Sequence, residues 1–470
     1  MKTVAIVGGG ITGLAAAYYL EEQAKTGVLP LTSRLIERLP QCGGKIRTDR
    51  MNGFIIEGGP DSFISMKPWG IELCQRLGLS EHLTGTNPNQ KQIYLLRKGR
   101  LAELPEGIMA LMPTRLWPFL KSPLISPLGK LRMGLDLFIP PKADKQDESL
   151  ASFVQRRLGK EALERIAEPL LAGIYAGDPK QMSLASTFPQ FREIEQKHGS
   201  LTRGMLARRR AVTPVSSRYT MFMTLKEGMG ELVETLTKRL DPSARITGSG
   251  AIGIQRRSTA YELLLADGRR LEADAVILAT PAFVTAGLLK QIDPLLSDRL
   301  IKIPYVSTAT VSLAYKRSGF SHPLNGFGFV VPRSEKRKIL ACTWTSTKFP
   351  HRADSDHVLV RCFVGGAGRE ELALQDEGSL IKMVCEDLKA IMGISAEPVL
   401  TKVYRWEKAN PQYNIGHLER VAEIEKMTAQ HPGLFVTGAA YRGVGVADCI
   451  HQGLQTAEKV LAHLRFTKHV

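Results

Sequence analysis

Thr3-Val4-Ala5-Ile6-Val7-Gly8-Gly9-Gly10-Ile11-Thr12-Gly13-Leu14-Ala15-Ala16-Ala17 joins a β-branched apolar run to an alanine-rich one through glycines spaced G-x-G-x-x-G. The stretch reads as strand, tight turn and helix. In that arrangement Gly8 allows the turn, Gly10 lets backbone approach a pyrophosphate, and Gly13 lets the helix pack on the strand. The helix N-terminus then faces the diphosphate, where its free N–H groups and dipole favour negative charge.

Glycines at this spacing also fit a plain βα turn, so the surroundings decide. A second β-like run, Arg34-Leu35-Ile36, ends in Glu37. That is close to the ~20 residues downstream where a dinucleotide fold places the acid that holds the ribose hydroxyls. Glu37 alone is equally a solvated charge at a strand end. Next comes Gln41-Cys42-Gly43-Gly44-Lys45-Ile46-Arg47-Thr48, a second glycine turn able to bring backbone and Arg47 near phosphate. A plain NAD enzyme does not need that second turn.

The chain of 470 residues is long enough for two or three domains at about 150 residues each, with real cores. Its formal charge of +17 points to an anionic partner: a polyanionic small molecule, a membrane surface or nucleic acid. Nucleic acid fits worst, because finger, RNP-like and basic-zipper patterns are missing and the basic residues are scattered. Cysteines 42, 74, 342, 362, 385 and 449 form no C-x-x-C pair and no metal-ligand spacing, which suits reduced thiols in the cytosol. The apolar run to Leu20 imitates a signal peptide, but its glycines and the lack of a cleavage site argue otherwise. The expectation is a cytoplasmic protein with no transmembrane helix and no metal site.

Further along, Gly53 to Phe63 reads as a strand entering a glycine-rich bend, followed by Lys67, by default a surface lysine, and a helix from Pro68 to Leu77. Strands are predicted near 92–96 and 99–101. Prolines at 105, 113, 118, 123, 127, 140 and 141 then break up apolar pieces such as Ile108–Met112 and Leu116–Leu120, marking an inserted helical region. Residues 91–217 hold 21 basic and 12 acidic side chains. With Trp117, Phe119 and Leu120 interleaved, this region suits either a lid over a cavity or a lipid headgroup surface. Glycines flank Ile174-Tyr175, as if backbone were forced close to something, and Arg203 to Arg218 reads as a mobile basic loop. A helix to Leu240, a hairpin over 261–272 and a buried strand 274–281 follow. Strands near 306–315, 326–331, 338–345 and 357–364 make a second sheet, with a helix at Gly378–Met392. Last come a strand 433–438, the loop Tyr441-Arg442-Gly443-Val444-Gly445-Val446 and a closing helix, which can turn a second N-terminus toward the same ligand.

Taken together, these strings resemble the FAD-dependent porphyrinogen oxidases, protoporphyrinogen and coproporphyrinogen III oxidases, within the flavin amine oxidase superfamily. The superfamily likeness rests on Gly8, Gly10 and Gly13, Glu37, Gly43-Gly44-Lys45 and the C-terminal glycine loop. The narrower likeness rests on Gly59-Pro60-Asp61-Ser62-Phe63, Glu168-Pro169-Leu170, Gly173-Ile174-Tyr175-Ala176-Gly177-Asp178, Ser186 to Phe191, Ala341 to Thr345, Arg405-Trp406, Pro411-Gln412-Tyr413, Gly416-His417 and Gly443 to Ile450. The strings run in family order over nearly the whole chain.

The resemblance implies an α/β fold with a Rossmann-like FAD-binding domain of the p-hydroxybenzoate-hydroxylase type, an antiparallel-sheet substrate domain and an inserted helical domain. Expected borders are 1–63, 222–292 and 430–470 for the first, 64–90, 199–221 and 293–429 for the second, and 91–198 for the third. By matching position, Gly8, Gly10, Ile11, Thr12, Gly13, Glu37, Arg38, Gly43, Gly44, Lys45, Gly59, Pro60, Gly438, Val446 and Asp448 bind noncovalent FAD. The strand around Ala251 faces the adenine, and Ala251 is a departure at a position where the family usually has valine. Lys67 faces the substrate and can pair with a propionate, Gly173 and Ile174 press on the macrocycle, and Phe363 stacks beside it or belongs to ordinary sheet core. Cys449 is a plain packed thiol.

The implied chemistry is a six-electron oxidation of a polycarboxylate porphyrinogen in haem biosynthesis, in three rounds of hydride transfer to flavin, with O2 as acceptor and H2O2 as product. The soluble bacterial branch favours coproporphyrinogen. Peripheral membrane contact and hand-over to the next haem-pathway enzyme complete the expectation. Two rival readings stay open: another flavin amine oxidase or desaturase, and a non-enzymatic protein that keeps the FAD fold.

Overall fold

The computed structural model describes residues 1–27, 30–105, 108–109, 112–113, 116–144, 146–211 and 219–466. Lys2–Val7 is the middle strand of a five-stranded parallel sheet, in the spatial order Arg245–Thr247, Leu31–Glu37, Lys2–Val7, Ala275–Leu278, Leu434–Val436. Covered on both faces, such strands read as continuous apolar runs. Their alternate side chains go opposite ways. Val4, Ile6, Leu35 and Ile277 join the helices Ile11–Lys25, Gly230–Arg239 and Val446–Phe466 in one core. Ala5, Val7, Ile36 and Leu278 meet the antiparallel strands Ala251–Arg257 and Ala260–Leu265 and the helix Ala282–Leu289 in another.

A seven-stranded sheet forms the second layer, in the order Leu400–Pro411, Tyr305–Lys316, His357–Gly365, Ile339–Thr343, Gly328–Val330, Ile93–Arg97, Arg100–Glu103. Along His357–Gly365, Val358, Val360, Cys362 and Val364 pack with Leu380, Val384 and Leu388 of the helix Glu377–Met392. The opposite face, bearing Leu359, Arg361 and Phe363, turns toward the strand Phe54–Glu57 and the bend that follows it.

Several borders move relative to the sequence expectation. Two strands of the large sheet come from 93–103, inside the segment assigned to the helical domain. The helix Leu201–Ala211, expected as a loop in the substrate domain, buries Leu201 and Met205 in the helical core; residues 212–218 lie outside the described residues, as do 110 and 111. The helix Trp69–Arg76, assigned to the substrate domain, packs Ile71, Leu73 and Cys74 into the core beside the parallel sheet. The expected helix at 161–171 is a π-helix over Leu163–Ala172 with Pro169 inside it. That wider winding is rare and concentrates at functional sites. Among the described residues no helix is long and apolar enough to cross a membrane.

Candidate functional site

The glycines of the opening stretch divide by what surrounds them. Gly8, at φ +111°, would place a Cβ 2.7 Å from the Ala279 carbonyl oxygen, and a Cβ on Gly13 would collide with the Gly8 carbonyl. Gly10 has nothing within 4 Å of its Cβ position. Gly8 and Gly13 are thus fixed by the protein's own packing, whereas Gly10 borders open space at the start of the helix Ile11–Lys25. Gly43 N donates to Gly9 O at 2.8 Å, and a Cβ on Gly44 would stand 3.2 Å from Gly10 Cα, so the second glycine turn lies on the first. Glu37 is engaged at the strand end, accepting from Gly9 N at 2.7 Å and Leu39 N at 2.8 Å. Lys45 Nζ donates to Ala409 O at 2.7 Å, and burial lowers its pKa.

The C-terminal loop reaches the same place. Gly453 packs against the Thr12 carbonyl, and Gly438, at φ +114°, stands 3.8 Å by its Cβ position from Thr12 Oγ1. Val446 opens the last helix and shares a core with Ile11. Two helix N-termini therefore converge on the space beside Gly10, an arrangement suited to a diphosphate. Arg38 packs along Gly250, whose Cβ would lie 3.1 Å from Arg38 Cβ, bringing Arg38 next to Ala251 at the start of its strand. Cys449 is buried, its Sγ 3.9 Å from the Gly443 and Val444 carbonyl oxygens. An open glycine cradle, an acid at the second strand and paired helix N-termini together fit a dinucleotide cofactor.

Gly59 and Pro60 sit in the bend Gly58–Asp61, and Gly59 lies against the Lys45 carbonyl. The large sheet holds this bend by consecutive carbonyl groups. Arg361 Nη1 donates to Glu57 O at 3.1 Å and Gly59 O at 2.9 Å; Thr310 Oγ1 and Trp406 Nε1 each donate to Gly58 O at 2.9 Å. Lys348 Nζ and Arg361 Nη2 meet Asp61 at 3.0 and 3.2 Å, and Arg352 Nη1 meets Glu57 at 3.0 Å. Burial opposes ionisation of Asp61, yet Lys348 and Arg361 hold its carboxyl below the usual range. None of these clamps was singled out in the sequence reading. The signal was present in Arg361, a lone charge inside the apolar run His357–Gly365.

The expected substrate residues are only partly brought together. Phe363 lies on the face of its strand that carries Arg361, whose guanidinium is 4.8 Å from the ring centre, and not on the face that builds the sheet core. Ile174 is 62% exposed, and Gly173 has nothing within 4 Å of its Cβ position. The backbone constraint falls instead at Gly177, where a Cβ would sit 2.7 Å from Gln412 Oε1. Lys67 is not a free cation: its Nζ is 2.6 Å from Asp448 Oδ1 and 2.8 Å from Oδ2. A propionate there would share the ammonium with Asp448.

Tyr413, also not singled out for a role, links these parts. Its hydroxyl donates to Ala439 O and accepts from Gly443 N, both at 2.7 Å, closing the C-terminal glycine loop. Its ring stacks on His417 at 4.0 Å and stands 5.7 Å from Tyr175. Burial pushes the Tyr175 phenol up to about 12.

Comparison with known proteins places this geometry. The model of the flavin containing amine oxidoreductases matches residues 11–461. Coproporphyrinogen III oxidase of Bacillus subtilis is 40% identical, with 98% of each chain covered. Its namesake from Staphylococcus aureus is 35% identical, covering 98% of this chain and all of the relative. A crystal structure from Exiguobacterium sp. 255-15 superposes with a TM-score of 0.86 at 35% identity over 99% of both chains. The chain therefore belongs to the flavin containing amine oxidoreductase family and, within it, to the porphyrinogen oxidases.

Proposed function

We propose that this protein oxidises coproporphyrinogen III to coproporphyrin III in haem biosynthesis, with protoporphyrinogen IX as the poorer substrate and O2 as the electron acceptor. The observation that carries this reading is the end-to-end likeness to two bacterial proteins named for that substrate. FAD in the glycine cradle would supply the hydride acceptor in three two-electron rounds, each taking a hydride from one sp3 bridge of the macrocycle. The chain's own part is to bind and orient. Gly8, Gly10, Ile11, Thr12 and Gly13, with Glu37, Arg38, Gly43, Gly44, Lys45, Gly438, Val446 and Asp448, hold the dinucleotide. Ala251 borders its adenine end. The clamped Gly59-Pro60 segment sets the flavin's position against Phe363, while Gly173 and Ile174 cover the macrocycle. Lys67 and the overall positive charge favour a polycarboxylate. Three protons also leave over these rounds, two net from pyrrole nitrogens and one from the fourth bridge by tautomerisation, and none of them needs a strong base.

The same reading includes contact with a membrane surface. Leu128, Leu131, Leu135 and Phe138 recur at three- and four-residue steps and are all exposed, as are Trp117 and Leu120. Lys130 Nζ donates to Leu120 O at 2.6 Å, joining the two helical segments, and Lys121 lies 5.0 Å from the Trp117 ring centre. Apolar side chains rimmed by cations suit an anionic interface. Hand-over of the product to the next haem-pathway enzyme belongs to this proposal too.

The test is aerobic fluorescence of the purified protein with coproporphyrinogen III and protoporphyrinogen IX in parallel, beside its flavin absorbance. Porphyrin emission above the spontaneous rate, faster with the tetracarboxylate, is expected. A yellow protein that produces porphyrin from neither would overturn the reading in favour of another amine oxidase or desaturase. A colourless one would point to a non-enzymatic protein. For the surface contact, flotation with phosphatidylglycerol vesicles is expected to carry the protein, and Leu128→Asp with Leu131→Asp to release it.

A further inference from the structure

Below the bend Gly58–Asp61 lies a cluster of charges that the proposed reaction does not itself require. Glu57, Asp61, Lys348, Arg352 and Arg361 form a contiguous group in which no side chain is more than 13% exposed. Three cations face two carboxylates. Among the described residues no third carboxylate is ion-paired with this group, and Nε of both Arg352 and Arg361 is buried without an acceptor. Burying an uncompensated charge is costly unless another charge offsets it. A natural protein that keeps one in its interior has a use for it.

The cluster lies close to the cradle assigned to the cofactor. Arg361 donates to the carbonyls of Glu57 and Gly59. Gly59 rests on the Lys45 carbonyl, beside the glycine turn that lies on Gly10. The excess charge is thus one backbone layer from the cradle assigned to the cofactor. Taking up a hydride, two electrons with one proton, adds one unit of negative charge to a neutral ring system. The substrate bridge that lost the hydride becomes neutral again by releasing its pyrrole proton to water. A fixed positive charge in a low-dielectric site favours the charged product of that transfer over the uncharged reactant.

We propose that the Lys348–Asp61–Arg361 cluster is an electrostatic positioning device that sets the cofactor's appetite for electrons: its net positive charge raises the midpoint potential of the bound flavin. The inference rests on the cofactor reading above and adds a role for residues that do not touch substrate. It makes a signed prediction. Lys348→Met removes a positive charge and lowers the potential. Asp61→Asn removes a negative one and raises it. Both break the same ion pair, so a purely structural role would move the two variants the same way.

The measurement is the midpoint potential of the purified flavoprotein by dye-linked reductive titration, with flavin occupancy read from absorbance. A tenfold change in the ratio of reduced to oxidised cofactor in each direction, about 30 mV for a two-electron couple, is the expected result. The double variant Lys348→Met/Asp61→Asn keeps the net charge and is expected to return to the wild-type value. Because it leaves no charge unpaired between these two residues, it also covers the case in which a single variant fails to fold. Shifts of the same sign, no shift, or a double variant displaced from wild type would overturn the proposal. If the wild-type protein binds no flavin at all, the cofactor reading fails instead, a result distinct from a flavoprotein whose potential ignores these charges.

Discussion

Lys67 and Asp448, 381 residues apart in sequence, are joined by both carboxylate oxygens, at 2.6 and 2.8 Å from the ammonium nitrogen. The two ends of this pair sit in unequal settings. Lys67 is 44% exposed by its side chain and Asp448 only 17%. A Cβ on Gly443 or Gly445 would stand 2.7 or 3.0 Å from the Asp448 carboxyl group. The carboxylate therefore shapes the glycine loop at the start of the last helix, while the lysine covers it from the solvent side.

Asp448→Ala is accordingly expected to lower flavin content after gel filtration more than Lys67→Met does. Lys67→Met should cost no more than about 1 kcal/mol of stability, the range of a half-exposed ion pair. Flavin absorbance per mole of protein and thermal melts of the two variants check this. Equal losses in both would show that the pair acts as one unit and that the aspartate has no separate part in the loop.

The glycines of the opening turn give a second contrast. Gly13→Ala drives a methyl group into the Gly8 carbonyl and is expected to destabilise by about 1–3 kcal/mol or more, as overpacking does. Gly10→Ala meets no atom of the described residues within 4 Å. Its melting temperature without cofactor should stay near wild type while flavin binding falls sharply. Retained flavin in Gly10→Ala would place the diphosphate elsewhere.

These two glycines also show what the sequence could tell. Spacing located the turn, because Gly8 and Gly13 stand where packed protein atoms leave no room for a side chain. The apolar run 274–281 and the run over 306–315 likewise became strands, since burial on both faces leaves a continuous hydrophobic signature. The strand Leu400–Pro411 was missed. It lies at the sheet edge, mostly half-buried, and its Lys402, Arg405, Glu407 and Lys408 erase the alternation that marks a strand. The clamps on Gly58 and Gly59 were illegible for another reason. Thr310, Arg361 and Trp406 are brought to the bend by strand register across about 250–350 residues of chain, as the hydrogen bonds show. No local pattern encodes such a meeting.

Stability should depend on pH through His417. The ring is fully buried and stacked on Tyr413, with Nε2 3.0 Å from Tyr441 O, to which the neutral ring donates. Burial lowers its pKa to about 4, against roughly 6.5 in an unfolded chain. The folded state thus binds fewer protons than the unfolded state between those values. The contribution is complete above pH 6.5 and is lost as pH falls toward 4, by roughly 3 kcal/mol at most. Urea midpoints at pH 7.5 and 5.0 read this directly. His417→Phe, which keeps the stack, should be less stable at pH 7.5 through the lost hydrogen bond yet lose less on acidification. An unchanged acid sensitivity would assign the effect to other groups.

A last prediction concerns the helical region and a buried ion pair inside it. Asp136 and Arg157 are both completely inaccessible. Asp136 accepts from Arg157 Nε at 2.6 Å, Ser200 Oγ at 2.7 Å, and Thr202 N and Oγ1 at 2.8 Å. Arg157 in turn donates to the carbonyls of Ile139, Asp136 and Gly199. Three segments far apart in the chain are tied at this point. Removing Asp136 leaves the Arg157 guanidinium dehydrated, with only Glu195, 3.4 Å from its Nη1 and already paired with Arg156, to offset it, so Asp136→Ala should cost about 3–5 kcal/mol, whereas Asp136→Leu with Arg157→Met should cost less. Because the pair lies outside the core around the parallel sheet, hydrogen exchange should rise over residues 127–205 and stay slow over 2–37. Uniform acceleration along the chain would mean that the helical region and the cofactor cradle unfold as one cooperative unit.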